Sequence, residues 1–231
     1  MHVTLAERWQ SVRASVDTAC REAGRDPSEV TILPVSKTFG VAAIREAMAL
    51  GLTRFGENRV QEVRAKQAEL VGAGIDWVVI GHLQTNKAKD VARLASEVQS
   101  LDRLELAVAL DQRLQHEGRA IDVLIEVKTS PEEAKHGLPP AALPSLLVQL
   151  KAMHSLRVQG LMTMAVHSDD AAAVRACFRQ LRELRDAARD DGFALPRLSM
   201  GMSGDFALAI AEGATEVRIG RAIFGDRVAT A

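Results

Sequence analysis

No tyrosine occurs anywhere in the 231 residues, so any mechanism that needs a tyrosine acid or base from this polypeptide is excluded. Cysteine is scarce as well. Cys20 and Cys177 fall within helical patterns without metal-ligand spacing, and read as buried thiols of a reducing cytosol. No apolar run approaches the roughly 20 residues that a spanning helix needs. The first residues, with Glu7, Arg8 and Arg13 set among apolar positions, do not resemble a secretory signal. Neither charge sign dominates: Lys+Arg 29 against Asp+Glu 30 leaves a net charge of -1, which offers no bulk attraction to nucleic acid or membrane. Also missing is a Gly-x-Gly-x-x-Gly after the first strand-like run, the fingerprint of a dinucleotide-binding sheet.

What is present is ordinary in bulk, 47% hydrophobic and 26% charged, enough to bury a substantial core. Leu5, Trp9, Val12, Val16, Cys20 and Ala23 are spaced by three or four and predict an amphipathic helix over 1–24, ended by Gly24. A unit then repeats: a short apolar run, a polar or glycine-bearing junction, a helical segment. The runs lie at 31–36, 53–55, 77–80, 97–101, 121–127, 157–164, 195–200 and 215–219, the second and fourth being the weakest. Between them fall helices at 41–50, 87–95 and 140–153, a long one that Ser168 caps, and one near 204–212. A small helical turn is expected at 130–133, where Ser130 and Glu133 have capping-box spacing and Pro131 takes the first helical position. Eight strand–helix units predict an α/β fold, a single-domain (β/α)8 TIM barrel over 1–231 with the extra N-terminal helix packed on it. A doubly wound open sheet is the runner-up.

In such a barrel the functional groups stand at the C-terminal ends of the strands. The first run ends in Lys37. A lysine in apolar surroundings is partly desolvated, which disfavours its charged form and leaves a nucleophilic amine able to form a Schiff base with an aldehyde. Taken alone, Lys37 reads better as a strand-end lysine whose stem packs while its head meets water. The last two strand ends change that balance. Ser199-Met200-Gly201-Met202-Ser203 and Arg218-Ile219-Gly220-Arg221 follow the seventh and eighth runs, where barrels often bind phosphate. Ser199 and Ser203 offer hydroxyls, while Gly201, Gly204 and Gly220 let backbone amides approach an anion. Each cluster alone is an ordinary turn with a serine cap. Together, opposite a strand-end lysine, they favour a phosphate-bearing aldehyde cofactor. His82, beside Gly81 and Gln84, reads as a general base or, preferably, as a hydrogen-bonded structural group. Glu57 and Asn58 read equally as ligand contacts or as caps of a helix starting at Arg59. Lys87 and Lys89 belong on a solvated face, and Met164, Met200 and Met202 fill core rather than line a flat ring.

The motifs Pro34-Val35-Ser36-Lys37, Phe55-Gly56-Glu57-Asn58-Arg59-Val60-Gln61-Glu62 and Ile80-Gly81-His82-Leu83-Gln84-Thr85-Asn86-Lys87 resemble the YggS/PROSC family of pyridoxal-phosphate homeostasis proteins. So do Gly160-Leu161-Met162-Thr163-Met164 and the stretches 198–206 and 217–225, in order along nearly the whole chain. The resemblance implies a barrel related to the N-terminal domain of alanine racemase, with pyridoxal 5'-phosphate (PLP) as a Schiff base on Lys37. It implies phosphate contacts from Ser199, Met200, Ser203, Gly220 and Arg221, Arg218 at the pyridine nitrogen, and Asn58 near the ring; His82 is a further candidate contact. Trp77-Val78-Val79-Ile80, where many relatives carry histidine and phenylalanine, and the loop from Thr38 depart from the family pattern. The racemase relatives need a second domain and a tyrosine, so two-base racemisation is not expected here. An arginine at the pyridine nitrogen leaves it unprotonated, which makes the ring a poorer electron sink. The expected function is therefore binding, buffering and delivery of PLP in the cytoplasm, with PLP-dependent apoenzymes as recipients and no turnover. A weak racemase or lyase using Lys37 and His82 is the alternative, and a barrel acting only as an interaction scaffold is a third class. The heavily charged face of 168–190 favours a monomer.

Overall fold

A computed structural model describes residues 3–132 and 135–225. Its strands are β1 (Thr31–Pro34), β2 (Arg54–Glu57), β3 (Asp76–Val79), β4 (Ala95–Leu101), β5 (Ile121–Glu126), β6 (Leu156–Met162), β7 (Arg197–Ser199) and β8 (Glu216–Ile219). They form one parallel sheet in the order β1-β8-β7-β6-β5-β4-β3-β2. The ring closes where Val35 bridges Gly56 and the Ser36 amide donates to the Gly56 carbonyl at 3.0 Å. The chain is thus a (β/α)8 barrel, and the open-sheet alternative is set aside because β1 is held by both β8 and the end of β2.

The helices α1 (Leu5–Glu22), α2 (Val41–Ala49), α3 (Val60–Glu69), α4 (Ala88–Leu94), α5 (Leu104–His116), α6 (Leu143–Leu150), α7 (Ala171–Asp190), α8 (Phe206–Ala211) and α9 (Arg221–Phe224) surround the strands. Helix α1 starts with a capping box in which Thr4 N donates to Glu7 Oε2 at 2.7 Å and Glu7 N donates to Thr4 Oγ1 at 3.2 Å. It buries Leu5, Val12, Val16 and Cys20 and packs on α8 and α9. Its Arg8 Nε donates to the Ile223 carbonyl at 2.8 Å, a cation set on the last turn of α9 where carbonyls lack helical partners. Cys20 and Cys177 are free and buried, as expected.

Two local expectations are corrected. Ser168 does not cap α7: Asp170 does, its Oδ1 accepting from Ala172 N at 2.8 Å and Ala173 N at 3.3 Å, while Ser168 Oγ accepts from Asp170 N at 3.0 Å. An aspartate directly before the first helical residue reaches the orphan amides that Ser168, two residues earlier, cannot. No helical turn forms over 130–132, because Ser130 Oγ binds Glu132 twice, donating to Oε2 at 2.8 Å and accepting from its amide at 3.3 Å; this side-chain turn competes with the helix. Glu133 lies outside the described residues. The fourth run, weak in the sequence at 97–101, is a strand as expected and a full seven residues long.

The reason is inside the barrel. Arg54 on β2 reaches Glu97 on β4 at 2.7 Å and Glu216 on β8 at 2.5 Å, and Arg197 on β7 reaches the same two carboxylates at 2.9 and 3.0 Å. Gln99 Nε2 donates to both as well. Strands that are not neighbours meet this way only across the interior, so the N-terminal end of the barrel is filled by a closed set of ion pairs instead of apolar layers. Burial alone would raise the Glu216 carboxyl, but Arg54 and Arg197 outweigh it and hold it below its ordinary value.

Candidate functional site

The C-terminal ends of β7, β8 and β1 are adjacent in the ring. Val35 N donates to the Ile219 carbonyl at 2.8 Å, and a Cβ at Gly220 would stand 3.3 Å from the Val35 carbonyl oxygen. The β8 loop therefore lies against the backbone two residues before Lys37, which is half-buried. On the other side, the β7 loop folds over Gly201, whose φ of +96 and 2.7 Å Cβ approach to Ala209 admit only glycine. Its carbonyl accepts from Arg218 N at 2.9 Å, tying the two loops together.

Within that rim the expected residues divide. Ser203 and Arg221 are exposed, and Gly220 is half-buried, standing as the residue before α9. Among the described residues, no backbone carbonyl accepts from the amides of Ser203 or Gly204. Ser199 and Met200 sit lower, both fully buried. The Ser199 hydroxyl donates toward Gln99 Oε1 at 2.7 Å and Glu216 Oε1 at 3.0 Å and accepts from Arg218 Nη1 at 2.9 Å, while Met200 N donates to the Glu216 carbonyl at 3.1 Å. Of the two serines, Ser203 is thus the exposed one and Ser199 the buried, bonded one. Arg218 is 5% exposed and is held on its second side by the Thr163 carbonyl at 2.8 Å. Burial pulls its pKa down, against Glu216, Glu126 and Asp205.

Asn58 stands at the end of β2 beside the β3 loop, so close that a Cβ at Gly81 would fall 2.3 Å from its carbonyl oxygen. Glu57 neither caps α3, whose preceding residue Arg59 makes no side-chain cap, nor faces the rim; it is fully buried against Lys66 and Ser36. His82 sits farther round the ring. Its Nδ1 lies 3.1 Å from Asp102 Oδ2, and its ring stacks on His136 at 3.9 Å, which is the hydrogen-bonded arrangement preferred from sequence. Unforeseen, Glu126 ends β5, the strand neighbouring β4, at 2% exposure. Burial, with Asp102 adding and Arg218 opposing, pushes its carboxyl up to about 7. A hollow of ≈ 330 Å³ opens between α1 and the β7 and β8 loops, lined by Glu7, Arg8, Ser203, Phe206 and Ala222 among others. Among the described residues no three His, Cys, Asp or Glu side chains gather to hold a metal, and no helix is long and apolar enough to cross a membrane.

The family model for the N-terminal domain of alanine racemase matches residues 10–228. A "Pyridoxal phosphate homeostasis protein" of Pseudomonas aeruginosa is 43% identical over 224 residues, covering 97% of this chain and 96% of the relative. Another, from Aquifex aeolicus, is 43% identical over 222 residues, 96% of this chain and 97% of its own. The chain belongs to the pyridoxal phosphate homeostasis protein family. A solved structure of this fold, PipY of Synechococcus elongatus with PLP bound, superposes with a TM-score of 0.86 at 38% identity, over 96% of this chain and 100% of that one. An alanine racemase of Clostridium difficile shares the barrel alone, with a TM-score of 0.71 at 12% identity, over 91% of this chain and 56% of the racemase. Within the homeostasis family, the rim built from β7, β8 and β1 is therefore the part of this barrel whose chemistry has to be explained.

Proposed function

We propose that this protein binds PLP covalently and reversibly through Lys37, and that it holds and releases the cofactor for PLP-dependent apoenzymes in the cytoplasm, acting as a monomer. The observation that carries the reading is the adjacency of Lys37, the Gly220–Arg221 turn and the Ser203–Gly204 turn on three neighbouring strand ends. That donor set suits the group: two amides, a hydroxyl and an exposed guanidinium for a phosphate dianion, and an amine on the next strand for the aldehyde. PLP, when bound, would supply an aldehyde, and Lys37 would hold it through its amine as a reversible Schiff base. Arg218, fixed by Ser199 and Thr163, would hold the pyridine side of the ring and, as a cation, would disfavour a proton on that nitrogen. Asn58, after β2, would border the ring, and Ser199 and Met200 would act indirectly by holding Arg218 and the β7 loop in place.

An absorbance spectrum tests this directly. Protein mixed with PLP should show a band near roughly 420 nm that borohydride discharges and that Lys37→Ala lacks; a colourless protein that cannot be loaded contradicts it. A second reading, residual racemase or lyase activity, draws on Glu126, a buried carboxyl able to hold or release a proton near pH 7. It requires amino-acid turnover by the loaded protein that disappears in Lys37→Ala.

A further inference from the structure

Behind the end of β1 lies a buried ammonium group that the reading above does not use. Lys66, on α3, has a side chain only 8% exposed. Its Nζ donates to the Ser36 carbonyl at 2.9 Å, to Glu57 Oε1 at 2.6 Å and to Glu62 Oε2 at 3.4 Å. Glu57 Oε1 also accepts from the Ser36 hydroxyl at 2.6 Å, and Glu62 Oε2 accepts from the Thr38 amide at 2.8 Å. Both neighbours of Lys37 are therefore anchored to one cation: Ser36 directly and through Glu57, Thr38 through Glu62.

Two further features show that the arrangement is forced rather than incidental. Thr38 has φ +69 and is the non-glycine residue with positive φ among those described, a conformation that a β-branched side chain avoids unless held there. Glu57 is fully buried with Oε2 unpartnered among the described residues. Burial raises its carboxyl pKa against the pull of Lys66. A buried pair with an unsatisfied oxygen is a poor way to stabilise a helix–strand contact that leucine or methionine would fill.

We infer that Lys66, Glu57 and Glu62 are positioning residues for Lys37, clamping the 36–38 backbone so that the direction in which the Lys37 side chain leaves the chain is set before any ligand arrives. The inference rests on Lys37 as the PLP tether. It assigns the clamp a specific effect: the covalent step is fast because its geometry is prepaid, whereas docking of the phosphate, which uses the β7 and β8 loops, is independent of it.

The test follows the rise of the band near roughly 420 nm after apo protein is mixed with PLP, in wild type, Lys66→Met, Glu62→Ala and Glu62→Gln. Binding of pyridoxine 5'-phosphate, which has the phosphate and ring without the aldehyde, is measured alongside. Lys66→Met and Glu62→Ala should slow band formation by roughly tenfold to a hundredfold and speed amide exchange at 36–39, with affinity for pyridoxine 5'-phosphate changed by less than about twofold. Glu62→Gln, which keeps an oxygen for the Thr38 amide, should recover most of the rate. If Lys66→Met does not fold, the Glu62 pair decides alone. Unchanged rates in both slow-step variants overturn the clamp while leaving Lys37 as the tether. A parallel fall in analogue affinity overturns it as well, since the effect would then be general. A wild-type protein that never develops the band overturns the Lys37 reading and the clamp with it.

Discussion

Lys37, Ser203, Gly220 and Arg221 were legible as residues because each stands where a short apolar run gives way to glycine or charge, a transition visible in one dimension. Glu126, Asp102 and Lys66 were not. Glu126 closes a run that reads Ile-Asp-Val-Leu-Ile-Glu, and nothing local says whether such a terminal glutamate faces water or the barrel. Its burial has a measurable consequence. A folded-state value of about 7 against the ordinary 4.5 means that the folded protein favours the protonated form. Stability from this group is complete below about pH 4.5 and is lost as pH rises through about 7, by on the order of 3 kcal/mol. Glu126→Gln should flatten that decline between pH 5 and 8 in thermal melts, and superimposable wild-type and variant profiles would contradict the assignment.

At the scale of elements, the strand–helix alternation and the N-terminal helix were readable from period and punctuation, because each helix buries one stripe and each strand is short and bounded. The interior of the barrel was not. Glu97 and Gln99, Arg197 and Ser199, Glu216 and Arg218 alternate as polar residues at every second position, a pattern that ordinarily marks a half-exposed strand; here the polar face points inward and is paired across the barrel. The same alternation on three strands of one sheet was the available signal. Removing one partner should be costly: Arg197→Leu leaves Glu97 and Glu216 short of a counter-charge, and denaturant unfolding should register a loss of about 3 kcal/mol. Loop contact is equally tight between β2 and β3. Gly81→Ala drives a Cβ to 2.3 Å from the Asn58 carbonyl oxygen, so it should cost about 1–3 kcal/mol and weaken PLP binding through the displaced Asn58, as read by melting and by titration of the absorbance band.

For the whole molecule, the closed barrel is the part shared with alanine racemase, over 91% of this chain and 56% of the racemase, and one of its rims is rich in amides and cations. The monomer proposed here rests on the charged face of α7: Arg175, Arg179 and Arg182 share the single carboxylate of Glu212 at 3.7, 3.4 and 3.0 Å, which leaves that face net positive and disfavours pairing with a second copy, and light scattering should return the mass of one 25.0 kDa chain. The proposed function depends on whether and where PLP attaches. Reduction of the PLP-loaded protein with borohydride, followed by peptide mapping, measures that without assuming any activity. A pyridoxyl group confined to the peptide that contains Lys37 is the predicted result; label on Lys66, Lys128 or Lys135 instead, or no label at all, would contradict the assignment of Lys37 as the tether.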